Sequence, residues 1–170
     1  MSKKALVIIA QDRYQDVELG DTRKGLLEAN FEVVLCSKEV GRCSGKLGGT
    51  EEATIAMRDV QPLDYERYAF IGGPGARALR DDPEATLLAQ SLNATGRPLG
   101  AICIAPTILA AAGVLEGKRA TVWNEDGEQD AYISERGANY TAEDVTVDGH
   151  IVTANGPEAA YEFGQKLASL

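Results

Sequence analysis

The sequence has little histidine and little cysteine, and these shortages exclude several kinds of site. One histidine, His150, and three cysteines leave no plausible ligand set for a zinc ion. An odd number of cysteines in a chain of 170 residues does not indicate a disulfide framework. We therefore predict no bound metal and no cofactor, and a reducing, cytoplasmic setting.

Dense positive charge and long apolar runs are also lacking. The net charge is -9, and no basic run suggests a nucleic-acid or anionic-membrane surface. No apolar run approaches the roughly 20 residues that a membrane-spanning helix requires. The apolar run at 5–10 follows two lysines but is too short for a signal peptide, so we interpret it as the first buried strand.

Short apolar runs alternate with helical segments along the rest of the chain. Four runs lack polar alternation, as do strands that are buried on both faces: 5–10, 31–36, 68–71 and 98–103. Helices are predicted at 16–29, 83–94, 105–112 and 157–170. This order predicts one α/β domain over residues 1–170, a three-layer sandwich around a mainly parallel sheet.

Two insertions interrupt the alternation. Residues 40–57 carry four glycines and predict a small hairpin followed by an extended piece. Residues 144–154 predict a late hairpin with a type I′-like turn at Asp148-Gly149. His150 follows that turn, and we expect it to be an exposed, inert hairpin residue.

The segment from Leu99 to Pro106 has the pattern of a nucleophile elbow around Cys103. Small residues lie two positions before and two after the cysteine, at the junction of a strand and a helix. A helix that begins near Ala105 would direct its positive end at the sulfur and lower the pKa of the thiol. A small, buried structural cysteine is the alternative interpretation.

A glycine-rich turn at 71–76 follows another strand. Its glycines allow close approach and expose backbone N–H groups, so Gly73 and Ile104 could form an oxyanion hole beside Cys103. A simple tight turn is the alternative. By position alone Glu18, Asp16 and Asp21 are equal candidates for a carboxyl group in the first turns of a helix.

Four ordered segments together resemble the PfpI-type superfamily, which has a class I glutamine amidotransferase-like fold and includes the parkinsonism-associated deglycase. Residues 101–121 resemble its nucleophile segment, 16–19 its acidic motif, 71–75 its glycine turn and 147–153 its late hairpin. The resemblance implies a flavodoxin-like sandwich that assembles as a homodimer or larger homo-oligomer. It also implies peptidase-like, glyoxalase-like, deglycase-like or chaperone-like activity.

When the family's functional residues are matched to positions of this sequence, the resemblance implies that Cys103 is the reactive cysteine and Glu18 the carboxyl group that contacts it. Gly73 then supplies an oxyanion donor, while Asp16 and Asp21 gain no support. The peptidase-like branch has histidine directly after the cysteine, whereas this chain has Ile104, so that mechanism does not transfer. Trp123 is a candidate wall of the pocket, with core or interface packing as alternatives.

The sequence therefore predicts a cofactor-free enzyme that acts on small reactive carbonyl compounds through Cys103 and Glu18, as a glyoxalase or deglycase. A non-enzymatic oxidative-stress sensor or chaperone that uses oxidation of Cys103 is the first alternative. An amidohydrolase or isonitrile-hydratase-like enzyme is the second.

Overall fold

A computed structural model describes residues 2–170, within which short strands alternate with helices along the chain. The strands are β1 (Lys3–Ile8), β2 (Asp12–Tyr14), β3 (Phe31–Ser37), β4 (Gly41–Gly45), β5 (Thr50–Ala53), β6 (Ile55–Ala56), β7 (Arg67–Phe70), β8 (Leu99–Ile102), β9 (Arg119–Ala120), β10 (Asn139–Tyr140), β11 (Val145–Asp148) and β12 (Ile151–Ala154). The helices are α1 (Asp16–Glu28), α2 (Pro83–Ala94), α3 (Pro106–Ala111), α4 (Gln129–Ser134) and α5 (Ala160–Ser169).

Seven strands form the central sheet in the order β11-β12-β8-β7-β1-β3-β6. All neighbours pair in parallel except β11, which pairs antiparallel with β12. The chain runs from β1 to β3 on one side and later to β7 on the other. The carboxyl ends of β1, β7 and β8 therefore border one crevice, where open α/β sheets bind ligands.

Both faces of this sheet are covered, which explains why the central strands lack polar alternation. Along β1, Leu6 and Ile8 pack into one apolar cluster, while Ala5 and Val7 pack into another on the opposite face. The first cluster includes residues of α2 and α3, and the second includes residues of α1 and α5. The predicted three-layer α/β sandwich is confirmed.

Element boundaries differ modestly from the prediction. The first strand covers Lys3–Ile8 rather than 5–10, and the last helix begins at Ala160 after a 3₁₀ turn at Pro157–Ala159. The predicted hairpin and extended piece within 40–57 are β4, β5 and β6. The sequence did not predict α4 or the pairings of β2 with β4 and of β9 with β10.

The turn of the late hairpin was assigned to the wrong type and position. Asp148 still pairs with Ile151, so Gly149 and His150 form the two-residue loop. Gly149 has a φ of 60°, whereas His150 does not have a positive φ. A positive φ at the first loop residue alone is the pattern of a type II′ turn, because type I′ requires both.

None of the helices in residues 2–170 has both the length and the apolar character that a membrane span requires.

Candidate active site

Cys103 lies at the sharp turn between β8 and α3. Its φ is 65°, in the left-handed region that costs a non-glycine residue about 1–2 kcal/mol. The turn is fixed by hydrogen bonds, because the Cys103 N–H donates to the carbonyl of Ala154 at 2.9 Å. The Cys103 carbonyl accepts from the N–H of Trp123 at 2.8 Å. This is the strained elbow that the flanking small residues predict.

Glu18, in the first turn of α1, brings a buried carboxyl group to the same crevice. Its side chain is fully buried next to that of Cys103, because a Cβ added at Gly72 would lie 2.7 Å from Glu18 Oε1 and 2.6 Å from the Cβ of Cys103. One oxygen, Oε1, accepts from the N–H of Gly72 at 3.0 Å. The other, Oε2, is buried with no hydrogen-bond partner among residues 2–170. A buried oxygen in this position needs a proton of its own or a donor nearby.

Burial raises the pKa of Glu18 from 4.5 to about 7. The hydrogen bonds from Cys103 and Gly72 oppose this rise, as does the positive charge of Lys46. A carboxyl group with a pKa near 7 exchanges a proton readily at neutral pH, as a general acid or base must.

The pKa of the Cys103 thiol is raised, which contradicts the expectation that a helix start would lower it. Burial is the main cause, followed by the charge of Glu18 and the hydrogen bond with it. The N–H groups of Ile104 and Gly73 act on the sulfur as donors and favour the thiolate, but they do not outweigh burial.

The glycine turn after β7 fits closely against the loop that precedes α1. Gly73 has a φ of 111°, and a Cβ there would lie 2.5 Å from the nitrogen of Gln15. At Gly72, a Cβ would lie 2.6 Å from the Cβ of Cys103. Glycine at these two positions therefore lets the Gly72 N–H reach Glu18 and the Gly73 N–H reach Cys103.

Cys103 opens into a cleft of about 1010 Å³. Trp123 and Tyr140 provide aromatic walls, and Trp123 also packs against the core, so its predicted position at the pocket is consistent with the structure. The charged residues in the lining besides Glu18 are Lys46, Arg77, Glu125, Asp144, Glu158 and Glu162. The sequence had not indicated these, because they come from loops and helix ends that only the fold brings together.

The remaining candidates lie outside this cleft lining. Asp16 accepts hydrogen bonds from the N–H groups of Leu47 and Gly49, each at 2.8 Å. Asp21 does not line the cleft. His150 is partly buried rather than exposed, with its Nε2 2.7 Å from Oδ1 of Asn93. No histidine lines the cleft, and residues 2–170 contain no group of three metal-ligating side chains.

The sequence profile of the DJ-1/PfpI family matches residues 3–170. The chain belongs to the DJ-1/PfpI family. It is 30% identical over 165 residues to a Pyrococcus abyssi protein named as a deglycase, with 97% of this chain and 98% of that protein covered. It is 25% identical over 165 residues to a Caenorhabditis elegans protein named as a glutathione-independent glyoxalase, covering 97% and 87%.

Among solved structures, the fold is similar to that of a ThiJ/PfpI domain protein from Brachyspira murdochii. The TM-score is 0.93 at 27% identity, and 99% of this chain and 95% of the other are covered. The predicted family and its flavodoxin-like sandwich are therefore confirmed. Relatives named as a deglycase and as a glyoxalase indicate an enzyme of this family.

Proposed function

We propose that this protein is a cofactor-free enzyme that acts on small reactive carbonyl compounds through Cys103 and Glu18. The observation that carries the proposal is the buried Glu18 carboxyl group next to the Cys103 side chain, where both line an open cleft. The names of the deglycase and glyoxalase relatives support the same class of reaction.

In the first step the sulfur of Cys103 adds to the aldehyde carbon of the substrate. The Glu18 carboxylate takes the proton of the thiol as the carbon–sulfur bond forms and passes it to the aldehyde oxygen, which gives a hemithioacetal and restores the carboxylate. The N–H groups of Gly73 and Ile104 act on the sulfur in the free protein, and in this proposal they stabilise the negative charge that develops on that oxygen.

For a 2-oxoaldehyde such as methylglyoxal, Glu18 then moves a proton between neighbouring carbons. It removes the proton from the hemithioacetal carbon, and the hydroxyl proton of that carbon moves to the neighbouring ketone oxygen. Glu18 then returns its proton to the carbon of the former ketone, which leaves a lactoyl thioester on Cys103. Water cleaves that thioester to release lactate and restore the thiol. With its pKa near 7, Glu18 is suited to both directions of transfer.

Peptidase activity is not proposed, because Ile104 occupies the position of the histidine that the peptidase-like branch uses. No imidazole lines the cleft to activate the thiol. The Cys103 thiol has a raised pKa, so only a small fraction of it is thiolate at neutral pH. We therefore expect a slow enzyme.

Lactate formation from methylglyoxal tests the proposal. Wild-type protein is compared with Cys103→Ser and Glu18→Gln, and Asp21→Asn serves as a matched control because Asp21 lies on the same helix away from the cleft lining. We expect Cys103→Ser to be inactive and Glu18→Gln to lose about 10²-fold or more in turnover. Asp21→Asn should keep wild-type activity. Wild-type activity no higher than that of Cys103→Ser would rule the proposal out.

A redox sensor is a second candidate, favoured by the different exposure of the three cysteines. Cys103 is partly exposed in the cleft, whereas Cys36 and Cys43 are buried. Mild peroxide should then add about 32 Da, the mass of two oxygens in a sulfinic acid, to Cys103 first. Equal oxidation of all three cysteines, measured by peptide mass spectrometry, would count against a sensor.

Cytoplasmic location and assembly as a homodimer or larger homo-oligomer stay predictions. Cell fractionation and light scattering of the purified protein test them.

A further inference from the structure

The loop between β4 and β5 carries a lysine to the edge of the cleft. Lys46 lines the cleft together with Glu18 and Cys103. Its ammonium group forms no ion pair or side-chain hydrogen bond with residues 2–170. It is therefore a cation whose charge is not already neutralised by a neighbouring carboxylate.

The backbone of this loop is fixed by Asp16, which lies in the first turn of α1 together with Glu18. Both Asp16 oxygens are used, on the N–H groups of Leu47 and Gly49. The N–H of Lys46 donates to the carbonyl of Tyr14 at 2.8 Å. A Cβ on Gly45 would lie 2.3 Å from an Asp16 oxygen, so the loop closes tightly over this carboxylate. Asp16, which had no assigned role, thus places Lys46.

The other charged groups of the cleft are less suited to act on Glu18. Arg77 lies 3.8 Å from Asp126 in an ion pair. The remaining charged lining residues are carboxylates on exposed positions: Glu125, Asp144, Glu158 and Glu162. Lys46 and the Cys103 thiol are the titratable side chains that act on Glu18.

We propose that Lys46 is a positioning residue that sets the protonation of the Glu18–Cys103 pair, and with it the pH at which Cys103 reacts. A positive charge near the pair favours its singly deprotonated state, because it stabilises negative charge on either partner. The inference deepens the proposed function, since it concerns the same site. It concerns the reactivity of the thiol, however, and does not require turnover of any carbonyl.

The test is the pH dependence of alkylation of Cys103 by iodoacetamide, between pH 5.5 and 8.5, resolved by peptide mass spectrometry. Iodoacetamide is uncharged, so Lys46 does not attract or repel the reagent itself. We expect Lys46→Gln to raise the midpoint of the alkylation profile by about half a pH unit, which is about threefold slower reaction below the midpoint. Added salt should move the wild-type midpoint toward that of the variant, because it screens a charge near the surface.

Two further variants separate charge from structure. Lys46→Arg keeps the positive charge and should retain the wild-type midpoint. Lys166→Gln removes an equivalent exposed charge from the last turn of α5, outside the cleft lining, and should also retain it. An unchanged midpoint in Lys46→Gln would overturn the inference, as would an equal shift in Lys46→Arg.

The outcomes also distinguish this inference from the proposed function. A shifted alkylation midpoint without any lactate formation would leave the role of Lys46 standing and remove the proposed reaction. A raised KM in Lys46→Gln with an unchanged midpoint would mean that Lys46 binds substrate directly, and would overturn its role through Glu18.

Discussion

The Glu18 carboxyl group lies next to the Cys103 side chain although the two residues belong to distant parts of the chain, the first turn of α1 and the elbow after β8. Burial raises the pKa of both groups, and the charge of Glu18 raises the pKa of the Cys103 thiol further. At neutral pH the pair therefore holds a proton that can move between carboxyl oxygen and sulfur. The chemistry that we propose depends on that shared proton.

Replacing Glu18 should change thiol reactivity and turnover in opposite directions. Glu18 raises the pKa of Cys103 through its charge and its hydrogen bond, so Glu18→Gln should lower that pKa. At pH 8 we expect iodoacetamide to alkylate Cys103 at least about tenfold faster than in wild type, which corresponds to one pKa unit. Turnover should nevertheless fall, because the amide cannot accept the proton.

Asp21→Asn is the control for both measurements and should match wild type. If Glu18→Gln slows alkylation instead, the carboxyl group activates the thiol in the ground state, and the assignment of the raised thiol pKa to Glu18 is wrong.

The free energy of unfolding should also depend on pH through the titration of Glu18. The folded-state pKa is about 7 against an ordinary value of 4.5, so the protonated carboxyl group is the form that the fold favours. The stabilisation of the folded state by the protonated carboxyl group is fully present below pH 4.5 and is lost as the pH rises through about 7. The free energy of unfolding of Glu18→Gln relative to wild type should therefore increase by up to about 3 kcal/mol between pH 4.5 and 8.

Urea unfolding at pH 4.5, 6 and 8 measures this difference, with Asp21→Asn as the reference variant. A difference that does not change with pH would show that Glu18 keeps an ordinary pKa despite its burial.

The fold could be predicted from the sequence because the central strands are buried on both faces of the sheet. Apolar runs such as those around Leu6 and Ala101 have one physical explanation in a chain with alternating helices, a covered parallel sheet. The two-residue strands β9 and β10 could not be predicted, because two residues carry no periodicity. Their pairing depends on distant segments that the fold brings together.

The candidate site was predictable in part. Small residues around Cys103 and the glycines at 72 and 73 indicate the turns, and the family resemblance selects Glu18 from three equivalent carboxyl groups. The direction of the thiol pKa was wrong, because a helix start can be located in a sequence whereas the degree of burial cannot. Lys46 was missed for a similar reason, since its place depends on how Asp16 closes a loop.

Gly73 should tolerate no side chain. Alanine there would carry a φ of 111° and place its Cβ 2.5 Å from the nitrogen of Gln15. We expect Gly73→Ala to destabilise the protein by more than about 1 kcal/mol and to slow alkylation of Cys103, because a donor to the sulfur is displaced.

Gly20→Ala is the matched control, since Gly20 lies within α1 and a Cβ added there would have no atom of residues 2–170 within 4 Å outside its own helix and chain neighbours. That variant should be neutral or more stable by up to about 1 kcal/mol, as alanine is the better helix former. Thermal unfolding compares the two, and equal stability of both variants would mean that the glycine turn can relax.

Trp123 is a fluorescence probe of the cleft, because it is the single tryptophan of the chain. It lines the cleft with Cys103, and its backbone N–H donates to the carbonyl of Cys103 at 2.8 Å. A group attached to the sulfur enters the cleft that the indole ring also lines. Alkylation of Cys103 should therefore change the tryptophan emission at the same rate at which mass spectrometry records the modification. Cys103→Ser treated in the same way should show no change, and a constant emission in the alkylated wild-type protein would place the indole ring away from the sulfur.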